Sequence, residues 1–163
     1  MPIEPSDFRQ ALAQFASGVT AVTTRDAAGR LLGLTVTAFS SVSLDPPLVL
    51  VCVDERADAQ AGFRESGAFG VSVLAEDQED VSRRFASSGP AKFDRTELVA
   101  GATGVPLVAG ALVHLECRVA AAYPAGDHTI YVGEIVALTV RAGRPLVYHR
   151  GQYRRLDGGG EPS

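Results

Sequence analysis

Residues 31–53 read LLGLTVTAFSSVSLDPPLVLVCV and decide the fold class. Residues 31–43 are rich in β-branched side chains and predict one long strand. The segment Asp45-Pro46-Pro47 cannot lie in a central strand, because two prolines remove two backbone donors. Residues 48–53 are apolar at every position, which is typical of a strand buried on both faces. The stretch therefore predicts two strands joined by a proline-containing turn.

Further strands and short helices flank this pair along the chain. Alternating or β-branched patterns predict strands at residues 19–24, 68–74, 112–123, 129–140 and 146–148. A turn at residues 26–29 joins the first of these to residue 31. Helical spacing predicts helices at 6–16, 57–66 and 76–85, with Ser6 as an N-cap. Six or more strands with two or three short helices indicate a mainly β fold, a closed barrel with helices at its ends.

The chain has the length of one domain, with one long segment that carries no regular pattern. A length of 163 residues fits a single domain. Residues 87–110 are rich in Gly, Pro and Ser and predict the longest irregular segment; loops of this length are usually functional or disordered. We expect one domain over residues 1–156 and a flexible tail over residues 157–163.

Composition and charge exclude several classes of protein. Fifteen basic and 19 acidic side chains give a net charge of −4, which argues against a nucleic acid as the main partner. No run reaches the roughly 18 apolar residues of a membrane span, and the N-terminus lacks the pattern of a secretory signal. We expect a cytoplasmic protein without a membrane partner. Cys52 and Cys117 lie far apart without metal-ligand spacing, as free cysteines in a reducing compartment do.

Common catalytic and nucleotide-binding motifs are missing from the sequence. No Rossmann glycine motif follows a strand, and no Walker A, GxSxG or HExxH motif is present. The most informative pattern is instead a series of hydroxyls in the long predicted strand, which would share one face of it. Such a strip suits the polar edge of a flat heteroaromatic ring, although a half-exposed strand that uses threonine for its propensity explains it too. The hydroxyls belong to Thr35, Thr37, Ser41 and Ser43.

Two further segments carry candidate chemistry. His128 follows Gly126 and Asp127 at a predicted hairpin turn, where histidine can bind a phosphate or assist proton transfer; a solvated turn histidine is the alternative. Arg83 and Arg84 end a predicted helix shortly before Lys92, the single lysine of the chain. These cations suit a phosphate, but the two arginines are equally explained by the dipole at the helix C-terminus.

Taken in order, these segments resemble the short-chain flavin reductase family, which provides the reductase components of two-component flavin-dependent monooxygenases. The likeness extends over roughly residues 8–156, in the pieces FRQALAQFASGVTAVTT, GLTVTAFSSVSLDPPLVLVCV, SGAFGVSVLAEDQEDVSRRFA, KFD, GDHTIYVGEI and PLVYHRGQYRRL. It implies a flavin reductase-like, FMN-binding split β-barrel with short flanking helices. It also implies a homodimer, with the flavin bound near the dimer interface.

The resemblance assigns roles to particular residues. Three of them, Thr35, Val36 and Thr37, would contact the isoalloxazine ring. The ribityl chain or the phosphate would meet Ser40 and Ser41, together with backbone groups of Cys52, Val53 and Asp54. The remaining assignments are Phe85 and Lys92 on the phosphate or pyrophosphate side, Tyr148 in a segment that covers the site, and His128 beside the nicotinamide.

One segment departs from the family pattern. Relatives often carry a phosphate-binding Ser or Thr after the buried strand, but residues 54–59 of this chain read DERADA and contain no hydroxyl. Arg56 can replace it electrostatically, whereas Glu55 and Asp58 oppose an anion. The phosphate contacts, and with them the choice between FMN and FAD, stay open.

The function that the resemblance implies is an NAD(P)H:flavin oxidoreductase. Hydride would pass from NADH to N5 of FMN or FAD, and the reduced flavin would go to a partner monooxygenase. NADH is preferred over NADPH because the sequence offers no clear clamp for a 2′-phosphate. Two alternatives remain: a flavin-binding oxidase of the same split-barrel fold, and a non-catalytic protein of that fold.

Overall fold

The computed structural model describes residues 1–157 and is mainly β. The short helices are α1 (Pro5–Leu12), α2 (Gln60–Ser66), α3 (Glu79–Phe85) and α4 (Ala91–Asp94). The strands of the main sheet are β2 (Thr20–Arg25), β3 (Leu31–Val36), β4 (Phe39–Ser43), β5 (Leu48–Asp54), β6 (Ala68–Val73), β9 (Val113–Ala125) and β10 (His128–Val140). The shorter strands are β1 (Ser17–Gly18), β7 (Leu98–Ala100), β8 (Pro106–Val108), β11 (Val147–His149) and β12 (Gln152–Arg154).

Within these residues, seven strands form one antiparallel sheet in the order β3-β2-β6-β9-β10-β5-β4. Strands β3 and β4 lie at opposite edges of the sheet although they are consecutive in the chain. The sheet therefore has to curl until its two edges approach each other. This geometry confirms the predicted mainly β, barrel-like fold with short flanking helices.

The long strand predicted over residues 31–43 is wrong as a single element. The chain leaves β3 after Val36 and enters β4 at Phe39, so the link Thr37–Ala38 crosses from one sheet edge to the other. The Phe39 N–H donates to the Thr37 carbonyl at 2.9 Å, and the Cys52 N–H donates to the Ala38 carbonyl at 3.1 Å. The hydroxyls of this stretch consequently do not share one strand face: Thr35 lies on β3 and Ser41 on β4.

The core has two parts in the described chain. One fills the barrel and contains Phe63, Phe69 and Tyr131, with valines from β2, β5 and β6. The other lies outside the barrel, where Ala21 of β2 packs with Val81 and Phe85 of α3. Residues 20–24 are all buried because β2 lies between these two layers.

The helices are shorter than predicted. Helix α1 begins at Pro5, where the missing N–H leaves no helical bond unmade, and ends at Leu12, not near residue 16. Helix α3 begins at Glu79, because Gln78 accepts the Ala75 N–H and holds a turn before it. Its acidic first turn is Glu79 and Asp80.

The expectation of an irregular segment over residues 87–110 is also wrong. This segment contains α4 and the β7–β8 hairpin. Side chains from distant strands hold the hairpin: Ser72 accepts the Val108 N–H, and the buried Glu116 carboxylate accepts the N–H groups of Ala102 and Thr103. Because these partners are far away in sequence, the local pattern does not show the order.

Two features complete the termini of the fold. The predicted last strand is β11, which forms a hairpin with β12 and pairs with β1 on its other side. The Arg150 side chain donates to Gln14 at 2.7 Å and connects this hairpin to the segment after α1. Residues 158–163, most of the predicted tail, lie outside the described residues. Among residues 1–157, no helix is long and apolar enough to cross a membrane.

Candidate functional site

A cavity of about 470 Å³ lies between β3, the end of β5 and the segment that follows α3. Its size falls within the range of about 300–1,000 Å³ that is usual for small-molecule sites. Four predicted site residues line it: Thr35, Asp54, Phe85 and Lys92. Other lining residues are Gly33, Leu34, Arg56, Ala57, Asp58, Ala86, Ser87 and Ser88.

The β3 wall of this cavity is fixed by α3 and α4. The Thr35 hydroxyl donates to the Ser82 carbonyl at 2.6 Å, so toward a ligand its oxygen is left as an acceptor. A Cβ atom at Gly33 would lie 2.9 Å from a ring carbon of Phe85, so glycine permits the close approach of β3 to α3. The wall thus combines polar groups of β3 with an apolar aromatic ring.

Lys92 is buried in this wall, with 6% of its surface exposed. Its ammonium group donates to the Gly33 carbonyl at 2.8 Å and lies 5.9 Å from the centroid of the Phe85 ring. Burial lowers the pKa of the lysine, and the charge of Asp58 opposes that shift. An ammonium held in this way supplies a fixed positive charge beside the cavity.

The end of β5 carries an exposed ion pair. The Arg56 guanidinium donates to both carboxylate oxygens of Asp54, at 3.2 and 3.0 Å, and its backbone N–H donates to one of them at 2.8 Å. The hydrogen bonds from the Arg56 side chain and backbone lower the pKa of Asp54 to about 2. Asp54 is therefore a carboxylate at neutral pH and competes with any other anion for Arg56.

Two side chains of the buried core hold the end of β5 through hydrogen bonds. The Gln60 amide donates to the Val53 carbonyl at 3.0 Å and to the Asp54 carbonyl at 3.2 Å. The buried Tyr131 hydroxyl in turn donates to Gln60 at 2.5 Å. The position of Asp54 therefore depends on residues inside the barrel.

Two neighbouring cavities continue along the link between β3 and β4. The smaller of these two, of about 210 Å³, is lined by Thr35, Thr37 and Tyr148, with Ser82 and Tyr153. The next, of about 420 Å³, shares Thr37 and is also lined by Leu12, Phe15, Ser17, Ala38, Phe39, Ser40, Leu50 and Cys52. We call the three cavities together the β3–β4 groove. Neighbouring cavities share lining residues: Thr35 belongs to the first two and Thr37 to the last two.

The groove therefore unites eight of the twelve predicted site residues. These are Thr35, Thr37, Ser40, Cys52, Asp54, Phe85, Lys92 and Tyr148.

The other four predicted residues do not line it. Val36 and Val53 belong to the barrel core, and Ser41 is exposed on β4. His128 lies opposite Asp54 in the β5–β10 register, and its Nδ1 is 2.7 Å from the Asp127 carboxylate. Their assigned roles stay predictions.

Several groove residues escaped the sequence reasoning. Ser82 lies on α3, where its hydroxyl is 2.6 Å from the Tyr153 hydroxyl. Ser87 and Ser88 line the cavity of about 470 Å³, where residues 54–59 offer no hydroxyl. Their only sequence signal was a location at the start of the long segment expected to be irregular.

Both cysteines are free thiols in the described structure. Burial raises the pKa of Cys52, and it raises the pKa of Cys117 to about 12. Residues 1–157 also contain no group of three or more His, Cys, Asp or Glu side chains that could hold a metal ion.

Comparison with known proteins shows similarity over nearly the whole chain. The family described as flavin reductase like domain matches residues 12–157. An NADH-dependent flavin reductase from a Rhodococcus species is 48% identical over 157 residues, which cover 95% of this chain and 88% of the relative. The reductase subunit of a flavin-dependent monooxygenase from Rhodococcus jostii (strain RHA1) is 38% identical, over 95% of this chain and 80% of the relative. A solved structure of the Streptomyces globisporus NADH:FAD oxidoreductase, in complex with NAD and FAD fragments, has a TM-score of 0.88 at 38% identity and covers 96% of both chains.

Proposed function

This chain belongs to the flavin reductase like domain family, and on that premise we propose that it is an NADH-dependent reductase of FMN or FAD. The observation that carries the proposal is the β3–β4 groove. It has the volume for a large ligand, an aromatic ring at Phe85, acceptor and hydroxyl groups at Thr35 and Thr37, and cations at Arg56 and Lys92. These residues fit a molecule with a flat polar ring at one end and a phosphate at the other.

In this proposal the protein orients the reactants and excludes water. The bound isoalloxazine ring supplies the hydride acceptor, its N5 atom, to the nicotinamide of NADH. Thr35 accepts hydrogen bonds from the ligand, since its own hydrogen is donated to Ser82. Phe85 and Tyr148 shield the groove, and Lys92 holds a fixed positive charge on the side assigned to the phosphate. No side chain needs to act as a nucleophile.

An NADH oxidation assay tests this function. We expect the purified protein to oxidise NADH when FMN or FAD is added, with a lower rate for NADPH. The expectation is contradicted if neither flavin supports NADH oxidation. Flavin binding without such turnover favours an oxidase or a non-catalytic protein of the same fold.

Replacing His128 with alanine is expected to raise the KM for NADH about tenfold, the effect of losing one hydrogen bond, and to leave the Kd for flavin nearly unchanged. The reason is that His128 lies at the start of β10, opposite Asp54, and does not line the groove. Steady-state kinetics and flavin titration measure the two effects, and His128→Gln serves as the conservative control. A collapse of flavin affinity with normal NADH kinetics would show that the nicotinamide assignment of His128 is wrong.

The proposal includes a homodimer. Large apolar side chains are exposed on α1 and its C-terminal flank, on β4 and the turn after it, and on the second half of β10, which extends beyond β5. They include Phe8, Leu12, Phe15, Val42, Leu44, Val136, Leu138 and Val140. Exposed apolar surface of this kind marks interfaces. Because Leu12 and Phe15 also line the groove, a second copy covering them would close one of its walls.

Light scattering is expected to give twice the chain mass of 17.1 kDa. Leu138→Glu is expected to shift the protein toward the monomer, because a carboxylate would be buried in the interface. Val99→Glu, at an exposed position in the separate β7–β8 hairpin, is the control and leaves the dimer intact. An active monomeric wild type is the result that would rule out the shared site.

We also propose that the reduced flavin passes to a separate monooxygenase in the cytoplasm. The similarity to a monooxygenase reductase subunit supports such a partner. Coupled turnover supports transfer if a flavin-dependent monooxygenase hydroxylates its substrate only when this protein, NADH and flavin are all present.

A further inference from the structure

A further cavity of about 470 Å³ lies beside the β3–β4 groove, between α1 and the β11–β12 hairpin. We call it the α1 cavity. It shares the lining residues Thr37 and Tyr148 with the groove, and its volume is in the usual range for small-molecule sites. A ligand that extends out of the groove past Thr37 can therefore continue into the α1 cavity.

The α1 cavity is lined by positive charge without a carboxylate. Arg9 and Arg150 line it, and its lining residues include no Asp or Glu. Within residues 1–157, neither of the two arginines forms an ion pair. The cavity beside Lys92 differs, because Asp54 and Asp58 also line it and offset its cations. The α1 cavity therefore attracts an anion, although the chain as a whole carries a net charge of −4.

Arg150 is held in place by both its backbone and its side chain. With Gly151 it forms the two-residue turn between β11 and β12, and the two residues have positive φ angles of 52° and 73°. Such a turn favours Asn-Gly, so an arginine at its first position is unfavourable for the backbone. The Arg150 N–H donates to the Ala13 carbonyl at 3.0 Å, and its Nε and Nη2 donate to the Gln14 amide oxygen at 3.0 and 2.7 Å. In the described chain its Nη1 group has no such partner and is left for a ligand.

Aromatic rings line the same cavity. Phe8 and Phe15 both contribute to it, although 58% and 79% of their surfaces are exposed. Exposed aromatic rings stack with flat bases such as adenine, and guanidinium groups bind phosphate oxygens through paired N–H donors. Two arginines beside two phenylalanines consequently match a diphosphate that is joined to a base.

We propose that the α1 cavity binds the ADP half of NADH, with Arg9 and Arg150 on the diphosphate and the phenylalanine rings against the adenine. The nicotinamide half stays in the β3–β4 groove. The inference rests on the proposed function, since it names where the rest of the same substrate is held. Phe8 and Phe15 also belong to the apolar surface assigned to the homodimer, so a second copy would close the cavity over the bound ADP half.

The kinetic test compares NADH with reduced nicotinamide riboside, which has the same nicotinamide and ribose but neither the diphosphate nor the adenosine. Both are assayed with FMN for the wild type, Arg9→Gln and Arg150→Asn. Asparagine is favoured at this turn position, so Arg150→Asn removes the guanidinium and keeps the hairpin. We expect each variant to lower kcat/KM for NADH about tenfold through KM, and to change kcat/KM for the riboside by less than about twofold.

A binding measurement without flavin or NADH examines the cavity directly. Isothermal titration calorimetry is expected to show that the wild type binds ADP more tightly than adenosine, and that Arg150→Asn weakens ADP binding about tenfold. Arg154→Gln is the matched control. Arg154 is exposed on the same hairpin but does not line the cavity, so this variant should keep the wild-type values in both experiments.

Three results would overturn the inference. The first is an equal loss of kcat/KM for NADH and for the riboside in Arg150→Asn. The second is a wild type that binds ADP no more tightly than adenosine. The third is a shift of Arg9→Gln and Arg150→Asn toward the monomer in light scattering with unchanged NADH kinetics, which would show that a second copy fills the cavity. Failure of the wild type to oxidise NADH with either flavin would instead overturn the proposed function itself, and the inference with it.

Discussion

Tyr131→Ala is expected to lower the free energy of unfolding by about 3–5 kcal/mol. Tyr131 is the largest fully buried side chain of the barrel and stacks on Phe63 with 4.5 Å between the ring centroids. Truncation leaves a cavity in a core whose side chains come from several strands, and these side chains relax into the cavity only in part. It also removes the hydroxyl that donates to Gln60, which holds the end of β5.

Chemical denaturation of Tyr131→Ala and Tyr131→Phe separates the two contributions. The phenylalanine variant keeps the stacked ring and loses only the hydrogen bond to Gln60, so we expect a loss of about 1–3 kcal/mol. Equal stability losses in the two variants would show that the ring packing contributes little.

Gly133→Val is expected to lower the free energy of unfolding by about 3 kcal/mol or more, the upper range for overpacked cores. A Cβ atom at this position would lie 2.5 Å from the ring of Phe69 and 2.8 Å from the Cβ of Cys117. Both neighbours are buried, so neither can move aside without displacing other core residues. β10 shifts its register with β9 next to this glycine, which adds to the local constraint.

Gly18→Val is the matched control for Gly133→Val. Gly18 also lies in a strand, but an added Cβ would meet nothing within 4 Å. Thermal and chemical denaturation should therefore show little change in this variant. A comparable loss of stability at both positions would contradict the steric argument and point to a general cost of replacing strand glycines with valine.

Much of the fold could be predicted because local patterns decide most strands. The β-branched residues of β2 and the unbroken apolar run of β5 are visible from neighbouring residues alone. The break between β3 and β4 could not be predicted, because neither glycine nor proline stands at Thr37 or Ala38. It arises from the curling of the whole sheet, which is a non-local property.

The candidate site was predictable to the extent that its residues are contiguous in sequence. Thr35 and Thr37 share one segment, and Cys52 and Asp54 share the next, so one motif leads to several groove residues. Ser82, by contrast, enters the groove only because α3 packs on β3. No residue pattern around Ser82 indicates that contact.

The burial of the two cysteines has a consequence for the durability of the protein. Oxidation of a thiol proceeds through its thiolate, and a raised pKa keeps Cys52 and Cys117 protonated at neutral pH. Sulfenic acid formation and mixed disulfides are thereby slowed at both positions.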